Sequence, residues 1–280
     1  MEWPADYHMH TPLCRHARGE PVEYALRARE LGLREIGFTD HAPMPRDDFD
    51  DWRMRGGELE DYMARVEAAR RAVPEVTIRL GLEVDYMPGL ESWIRELRSR
   101  YPWDYLIGSV HYVTDDWAVD HPQQVARWDA TEPGRVWRAY LERLRAAAAG
   151  GWFDILGHVD LPKKFGHRPP PELGPLWREV FETARRTGCA IEINTAGLRK
   201  PCAEMYPGPD LLRLARETGV ALTFGSDAHT PEEVGANWSE ALQLARAAGY
   251  REWLRLERGQ KRQVPLPEAP VTLTPPGSDP

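Results

Sequence analysis

Seven short apolar runs recur along the chain at intervals of roughly 30–50 residues, and a helical pattern separates most of them from the next. They occupy 6–10 (DYHMH), 35–40 (EIGFTD), 77–85 (TIRLGLEVD), 105–111 (YLIGSVH), 154–158 (DILGH), 190–195 (AIEINT) and 221–226 (ALTFGS). Each is rich in Ile, Val, Leu or Phe and bounded by Gly or a polar residue, as strands buried on both faces of a parallel sheet read. Helical patterns fall at 21–31, 59–72, 132–149, 175–187, 209–218 and 231–248. Thr230-Pro231-Glu232-Glu233 offers an N-cap followed by proline and acid in the first turn, and Gly188 and Gly219 stand where helices should end. The alternation predicts a parallel α/β architecture. Seven or eight strand–helix units in about 250 residues is the proportion of a closed barrel. A doubly wound open sheet is the alternative, but neither GxGxxG nor GxxxxGK[ST] occurs to support a phosphate-loop version. We expect one domain over 1–263 and an extended Pro-rich tail over 264–280 (VPLPEAPVTLTPPGSDP).

A formal charge of −8, from 36 basic and 44 acidic residues, disfavours nucleic acid and anionic membrane as partners. No stretch supplies the roughly 18–20 apolar residues of a membrane span. The opening MEWPADYHMH has neither a basic nor an apolar signal region. Cys14, Cys189 and Cys202 make an odd count without CxxC spacing, which argues against a disulfide framework and a zinc ribbon. The expected compartment is the reducing cytoplasm. Eleven tryptophans fit either helix–barrel contacts or a subunit interface, so a homo-oligomer stays open.

Six of the nine histidines lie at the ends of the apolar runs: His8, His10, His41, His111, His158 and His229. Asp6, Asp40, Glu83, Asp85, Asp160, Glu192 and Asp227 join them there. In a parallel barrel the C-terminal strand ends share one face, where active sites are built. His8 and His10, two apart on a strand, point the same way. Imidazoles and carboxylates converging without cysteine pairs suit Zn, Mn or Fe, and more than four ligands imply more than one ion. For His121 and His167, in polar loops, we expect no such role. Cys14 beside His16 has no evident third member for nucleophilic catalysis and reads as packing. The Arg-rich helical faces read as solvated surface.

With these residues in view, the chain resembles the polymerase-and-histidinol-phosphatase (PHP) superfamily, and within it the monofunctional histidinol-phosphate phosphatases. DYHMHTPLCRH, FTDH, GLEVDYMPG, GSVHYV, ILGHVDLPKKFG, EINTAGLRK and GSDAH appear in family order from Asp6 to about residue 240. The resemblance implies a distorted (β/α)7 barrel with three metal ions at the C-terminal strand ends. By position, the first ion would take His8, His10, Glu83 and Asp227. Glu83 would bridge to a second held by His111 and His158, and a third would take His16, His41 and His229. No ligand position is substituted. Asp6 and Asp40 fit better as acceptors that orient imidazoles.

The expected reaction is hydrolysis of a phosphomonoester by in-line attack of a metal-bridged hydroxide. Arg199 is the candidate for bidentate phosphate binding, and Asp227 or His229 for protonating the leaving group. The substrate that the resemblance implies is L-histidinol phosphate, with Glu192, Asp160 and Asp120 as candidate partners for its ammonium and imidazole. Rival readings are a phosphoesterase acting on sugar phosphates or nucleotides, an accessory module like that fused to bacterial replicative polymerases, and a metal-dependent amidohydrolase. The last class usually carries a carboxylated lysine on a strand, whereas Lys163 and Lys164 fall in a loop.

Overall fold

The computed structural model describes residues 3–268. In chain order it contains α1 (Pro21–Glu30), β1 (Glu35–Phe38), α2 (Leu59–Ala72), β2 (Thr77–Asp85), α3 (Glu91–Arg100), β3 (Tyr105–Ser109), β4 (Tyr112–Thr114) and β5 (Trp117–Ala118). There follow α4 (Ala126–Asp129), α5 (Pro133–Ala149), β6 (Ile155–Leu156), α6 (Gly174–Thr187), β7 (Ala190–Asn194), α7 (Pro209–Thr218), β8 (Leu222–Gly225), α8 (Trp238–Ala247), β9 (Glu252–Glu257) and β10 (Gln260–Pro265).

Six of these strands form one sheet in the order β1-β2-β3-β6-β7-β8. Every pair in it is parallel. The segment 6–10 lies between the two edges. On one side Tyr7 N donates to Phe224 O (2.9 Å) and His10 N to Ala228 O (2.9 Å). On the other, Gly37 N donates to Asp6 O (2.7 Å) and Thr39 N to Met9 O (2.9 Å). This seventh stave pairs only through isolated bridges, Asp6 with Ile36 and Met9 with Ala228. The result is a distorted parallel barrel ringed by helices.

The helices bury stripes at helical spacing. Val136, Trp137, Tyr140, Leu141, Leu144 and Ala148 of α5 are buried, as are Trp177, Val180, Phe181 and Ala184 of α6. Gly188 and Gly219 end α6 and α7 in the left-handed conformation, with φ of 71° and 79°. All eleven tryptophans are at least partly buried in the fold; seven are in the core and four lie half-buried against it.

Three expectations need correction, and one element was missed. The helix expected over 231–248 is broken: Pro231–Glu233 is a 3-10 turn, Gly235 and Asn237 adopt left-handed φ, and α8 begins only at Trp238. The run 154–158 shortens to two paired residues, because His158 turns the chain at φ 22°. Asp154 is spent capping the neighbouring strand through Leu106 N (3.0 Å). The tail does not begin at 264, since Val264 and Pro265 pair with Trp253 and Glu252 and Leu266 is buried; residues 269–280 of the expected tail lie outside those described. The β9–β10 hairpin was not expected at all, because EWLRLERGQKRQV hides three buried apolar side chains among charges.

Candidate metal centre and cleft

Strand ends deliver the side chains. Glu83 is two residues from the end of β2, His111 two beyond β3, His158 two beyond β6 and Asp227 two beyond β8. His41, past β1, bridges to Glu83 through its backbone. His16 follows a 3-10 turn over Pro12–Cys14, whose N-cap Thr11 accepts from Leu13 N and whose exit residue Arg15 is left-handed.

Glu83 lies at the middle of the group and is 1% exposed, so its charge cannot be left to water. Its Oε2 is 2.8 Å from His41 Nδ1, 3.4 Å from His8 Nε2 and 3.7 Å from His10 Nε2. Its Oε1 accepts from Ser109 Oγ (2.6 Å), and His158 Nε2 and His111 Nε2 lie 2.9 and 3.7 Å away. Ligand-type atoms fall within 4.8 Å of one another in three relevant groups: Glu83 with His111 and His158, His8 with His10 and Asp227, and His10 with His41 and His229. His16 approaches His229, with 2.9 Å between their Nε2 atoms, while the His16 and His41 ring centroids stand 5.5 Å apart. His10 thus sits between two of the groups that the resemblance kept separate.

Outer partners aim these groups. His8 Nδ1 lies 3.0 Å from both oxygens of Glu192, which turns Nε2 toward Glu83. Gly225 leaves room for this pair, since a Cβ there would stand 2.6 Å from Glu192 Oε2 and from His8 Cβ. His111 Nδ1 is 2.8 Å from Asp85 Oδ1, and Asn194 Nδ2 donates to both Glu192 (2.9 Å) and Asp227 (3.1 Å). Buried His8 Nε2, His10 Nδ1, Glu83 Oε2 and His158 Nδ1 make no well-aligned hydrogen bond, although His41 Nδ1 lies close to Glu83 Oε2 and Asp40 near His10 Nδ1. Such atoms are rare in a dry interior. Two of them, His8 Nε2 and Glu83 Oε2, face one another. Imidazole nitrogens and carboxylate oxygens in this arrangement fit divalent ions.

The charges agree. Burial pushes Glu83 up, but His41, His8 and His158 outweigh it and hold its carboxyl well below the usual range. Asp227 is likewise held ionised by His8, His10 and His229 against its burial. Burial keeps His41 and His229 neutral. Cys14 is buried and its thiol is pushed up by burial and by Asp40, so it is no ready nucleophile.

A family model described as "PHP domain" matches residues 6–196, and one described as "PHP-associated" matches 211–245. The chain belongs to the PHP-domain family. A protein of Deinococcus radiodurans named "Probable histidinol-phosphatase" is 44% identical to it over 247 residues, covering 88% of this chain and 94% of the relative. The histidinol-phosphatase of Bacillus subtilis is 29% identical over 85% of this chain and 98% of its own. Among solved structures, the histidinol phosphate phosphatase of Lactococcus lactis, complexed with zinc, L-histidinol and phosphate, shares the fold. Its TM-score is 0.75 at 22% identity, covering 94% of this chain and all of that one.

Over the strand ends of this PHP domain lies a cleft of about 260 Å³, lined beside the histidines by Asp120, Lys164, Lys200, Tyr206 and Glu233. A recess of about 340 Å³ adjoins it, walled by Trp52, Ala118, His121 and Pro122. Asp120 faces both, ion-paired to Lys164 at 2.9 Å. Burial would raise its pKa, but Lys164 and His111 bring it down to about 2. His121, for which no role was expected, therefore borders the recess, whereas His167 stacks on Trp128 at 4.1 Å.

Other predicted site residues stand elsewhere. Glu192 is fully buried and committed to His8, to Asn194 and to His158 N. Asp160 is 2% exposed, paired with Lys163 at 2.8 Å and accepting from Gly208 N. Neither lines the cleft or the recess. Arg199 stands behind Asp227: Nη2 donates to Ser226 O (2.8 Å) and Asp227 O (3.3 Å), and Nε is 3.1 Å from Glu233. It braces the left-handed turn at Asp227 instead of lining the cleft. Asp6, expected to orient an imidazole, holds Ser226 N (2.8 Å) and Gly235 N (3.0 Å) and so closes the barrel. Asp40 does lie 3.5 Å from His10 Nδ1. The cleft lysines were missed, because Lys200 follows the more conspicuous Arg199 and Lys164 follows the buried Lys163.

A pH prediction follows from His10 and His111. Burial disfavours their charged forms, but Asp227 and Asp40 around His10, and Asp85 beside His111, outweigh it and raise both to about 9. In metal-free protein that stabilisation is complete below the ordinary imidazole value near 6.5 and is lost as pH rises through about 9. Ions must displace the same protons, so ion affinity rises over this interval. Melting curves with chelator should fall in Tm from pH 6.5 to 9, while zinc titrations tighten; a chelated Tm that climbs instead contradicts the assignment.

Proposed function

We propose that this chain is a metal-dependent histidinol-phosphatase, hydrolysing L-histidinol phosphate to L-histidinol and inorganic phosphate in histidine biosynthesis. The observation that carries the reading is the buried Glu83 group, with its poorly partnered ligand atoms opening on a cleft that holds both cations and an ionised acid. The 44% identity to the Deinococcus relative supports the substrate.

The residues that would hold ions are His8, His10, Glu83 and Asp227, then Glu83, His111 and His158, then His16, His41 and His229. That makes a centre of three divalent ions, zinc, iron or manganese. When bound, such ions lower the pKa of a water and neutralise charge on phosphoryl oxygens. The chain's own groups do the rest. Glu192, Asp85 and Asn194 fix ligand orientation. Lys200 has no ion pair among the described residues and extends into the cleft, where a phosphate would meet it. Asp120, ionised between cleft and recess, meets the substrate's ammonium or imidazolium. Asp227 and His229 line the cleft, and one of them would relay a proton from water to the leaving oxygen. Among the described residues no helix is long and apolar enough to cross a membrane, and we place the enzyme in the cytoplasm.

Two variants test this division. Lys200→Ala should raise KM for histidinol phosphate about 10–100-fold, the worth of one charged hydrogen bond, with metal content unchanged. A larger KM rise in Arg199→Ala, again with metal content unchanged, would move the phosphate site to Arg199. Asp120→Asn should raise KM about tenfold for histidinol phosphate yet leave p-nitrophenyl phosphate unaffected. Equal effects on both esters would remove Asp120 from substrate recognition. Turnover of a sugar phosphate or nucleotide ester above histidinol phosphate would keep the centre and discard the pathway.

A further inference from the structure

The loop between β1 and α2 carries one deeply buried cation. The Arg53 side chain is 4% exposed, and its hydrogen bonds run to three partners. Nε donates to both oxygens of Asp50 at 2.8 Å, Nη1 to Ala42 O at 3.2 Å, and Nη2 to Asp85 Oδ2 at 3.0 Å. The guanidinium also lies over the Trp52 ring, 4.1 Å from its centroid. Asp50 is completed from the far side by Tyr112 Oη at 2.8 Å.

Each contact leads to the centre. Asp85 divides its oxygens: Oδ2 takes Arg53, while Oδ1 lies 2.8 Å from His111 Nδ1 and accepts from His111 N at 3.1 Å. Ala42 follows His41, and Ala42 N donates to Glu83 O at 2.8 Å. Trp52, clamped by the guanidinium, sets its edge against His41 and His111, with ring centroids 4.8 and 5.3 Å apart, and walls the recess. One guanidinium therefore ties two ligand-bearing strand ends to the wall of the recess.

Buried ion networks are poor stabilising devices, since apolar replacements of similar volume are often neutral. Their use lies in orientation, and outer partners of metal-bound histidines typically govern affinity by 10–100-fold. We propose that Arg53 is a positioning residue that governs ion retention at Glu83, His111 and His158 and fixes Trp52 at the recess. The inference rests on the metal reading above. The planar fork matters as much as the charge, because lysine cannot reach Asp50, Ala42 and Asp85 together.

The test compares full-length wild type, Arg53→Lys, Arg53→Met and the milder Asp50→Asn, which touches no ligand. Zinc affinity is measured by competition with a chromogenic chelator, bound metal by elemental analysis, and kcat and KM at limiting and excess zinc. Arg53→Lys and Arg53→Met should weaken zinc about 10–100-fold, with kcat recovering in excess zinc while KM for histidinol phosphate stays raised. Asp50→Asn should shift both in the same direction by less. Variants that lose Tm but bind zinc like wild type would overturn the inference and make Arg53 purely structural. If Arg53→Met fails to fold, Arg53→Lys and Asp50→Asn with unchanged affinity overturn it equally. Wild type that binds no zinc would instead overturn the metal reading itself.

Discussion

Replacing Glu83 with Gln should lower kcat by ~10³-fold and deplete bound metal, while the barrel still folds. Several kcal/mol of transition-state charge stabilisation are at stake when ions leave such a site, and each 1.4 kcal/mol is tenfold in rate. The amide preserves volume but removes the one negative charge at the middle of the group. That charge faces His8, His10 and His41 through Oε2 and His111 and His158 through Oε1. Elemental analysis with steady-state rates checks it. A variant that keeps its full metal complement and turns over within tenfold of wild type would show that Glu83 is not the shared ligand.

The largest effect on stability is expected at Lys163→Met. Lys163 is 1% exposed, and its ammonium contacts Asp160 Oδ2 (2.8 Å), Glu204 Oε2 (2.7 Å) and Met205 O (2.7 Å). It also lies 5.2 Å from the centroid of Tyr206, which lines the cleft. Removing it leaves the Asp160 carboxylate buried with only Gly208 N as a partner. Breaking such a pair costs about 3–5 kcal/mol, which in a chain of this size corresponds to a Tm lower by roughly 10 °C. Thermal melts of the metal-loaded protein measure it, and a Tm within a degree or two of wild type would contradict the pairing. The same contacts answer the amidohydrolase alternative. Lys163 is committed to Asp160, Glu204 and Met205 O from a 3-10 turn at Leu161–Phe165, and is in no position to carry a bridging carboxylate.

What the chain disclosed in advance follows a physical division. The strand β2 and the helices α2 and α7 were legible to the residue, and most other parallel strands to within one or two, because periodicity and caps are local signals. The gathering of His8, His41, Glu83, His111, His158 and Asp227 was legible for a different reason: parallel strands place their C-terminal ends on one face whatever the side chains. Partnering was not legible. Nothing local says that Glu192 is spent on His8, that Lys163 is shared with Glu204, or that Arg199 turns back to the carbonyls of Ser226 and Asp227. Those outcomes depend on residues tens of positions away competing for the same buried charge. The broken helix at Gly235 and Asn237 is similar in kind. Asp6 accepts from Gly235 N, a contact spanning most of the chain.

The central claim is that Glu83 and its surrounding imidazoles hold ions for hydrolysis of histidinol phosphate. Phosphate release from L-histidinol phosphate, beside a panel of other monoesters, tests it most directly when the enzyme is first stripped with chelator and then reloaded with zinc, manganese or iron. The account predicts no turnover when stripped, recovery on reloading, and a strong preference for histidinol phosphate. Undiminished turnover by the stripped enzyme, or reloaded enzyme with bound metal and no phosphate release from any ester, would contradict it.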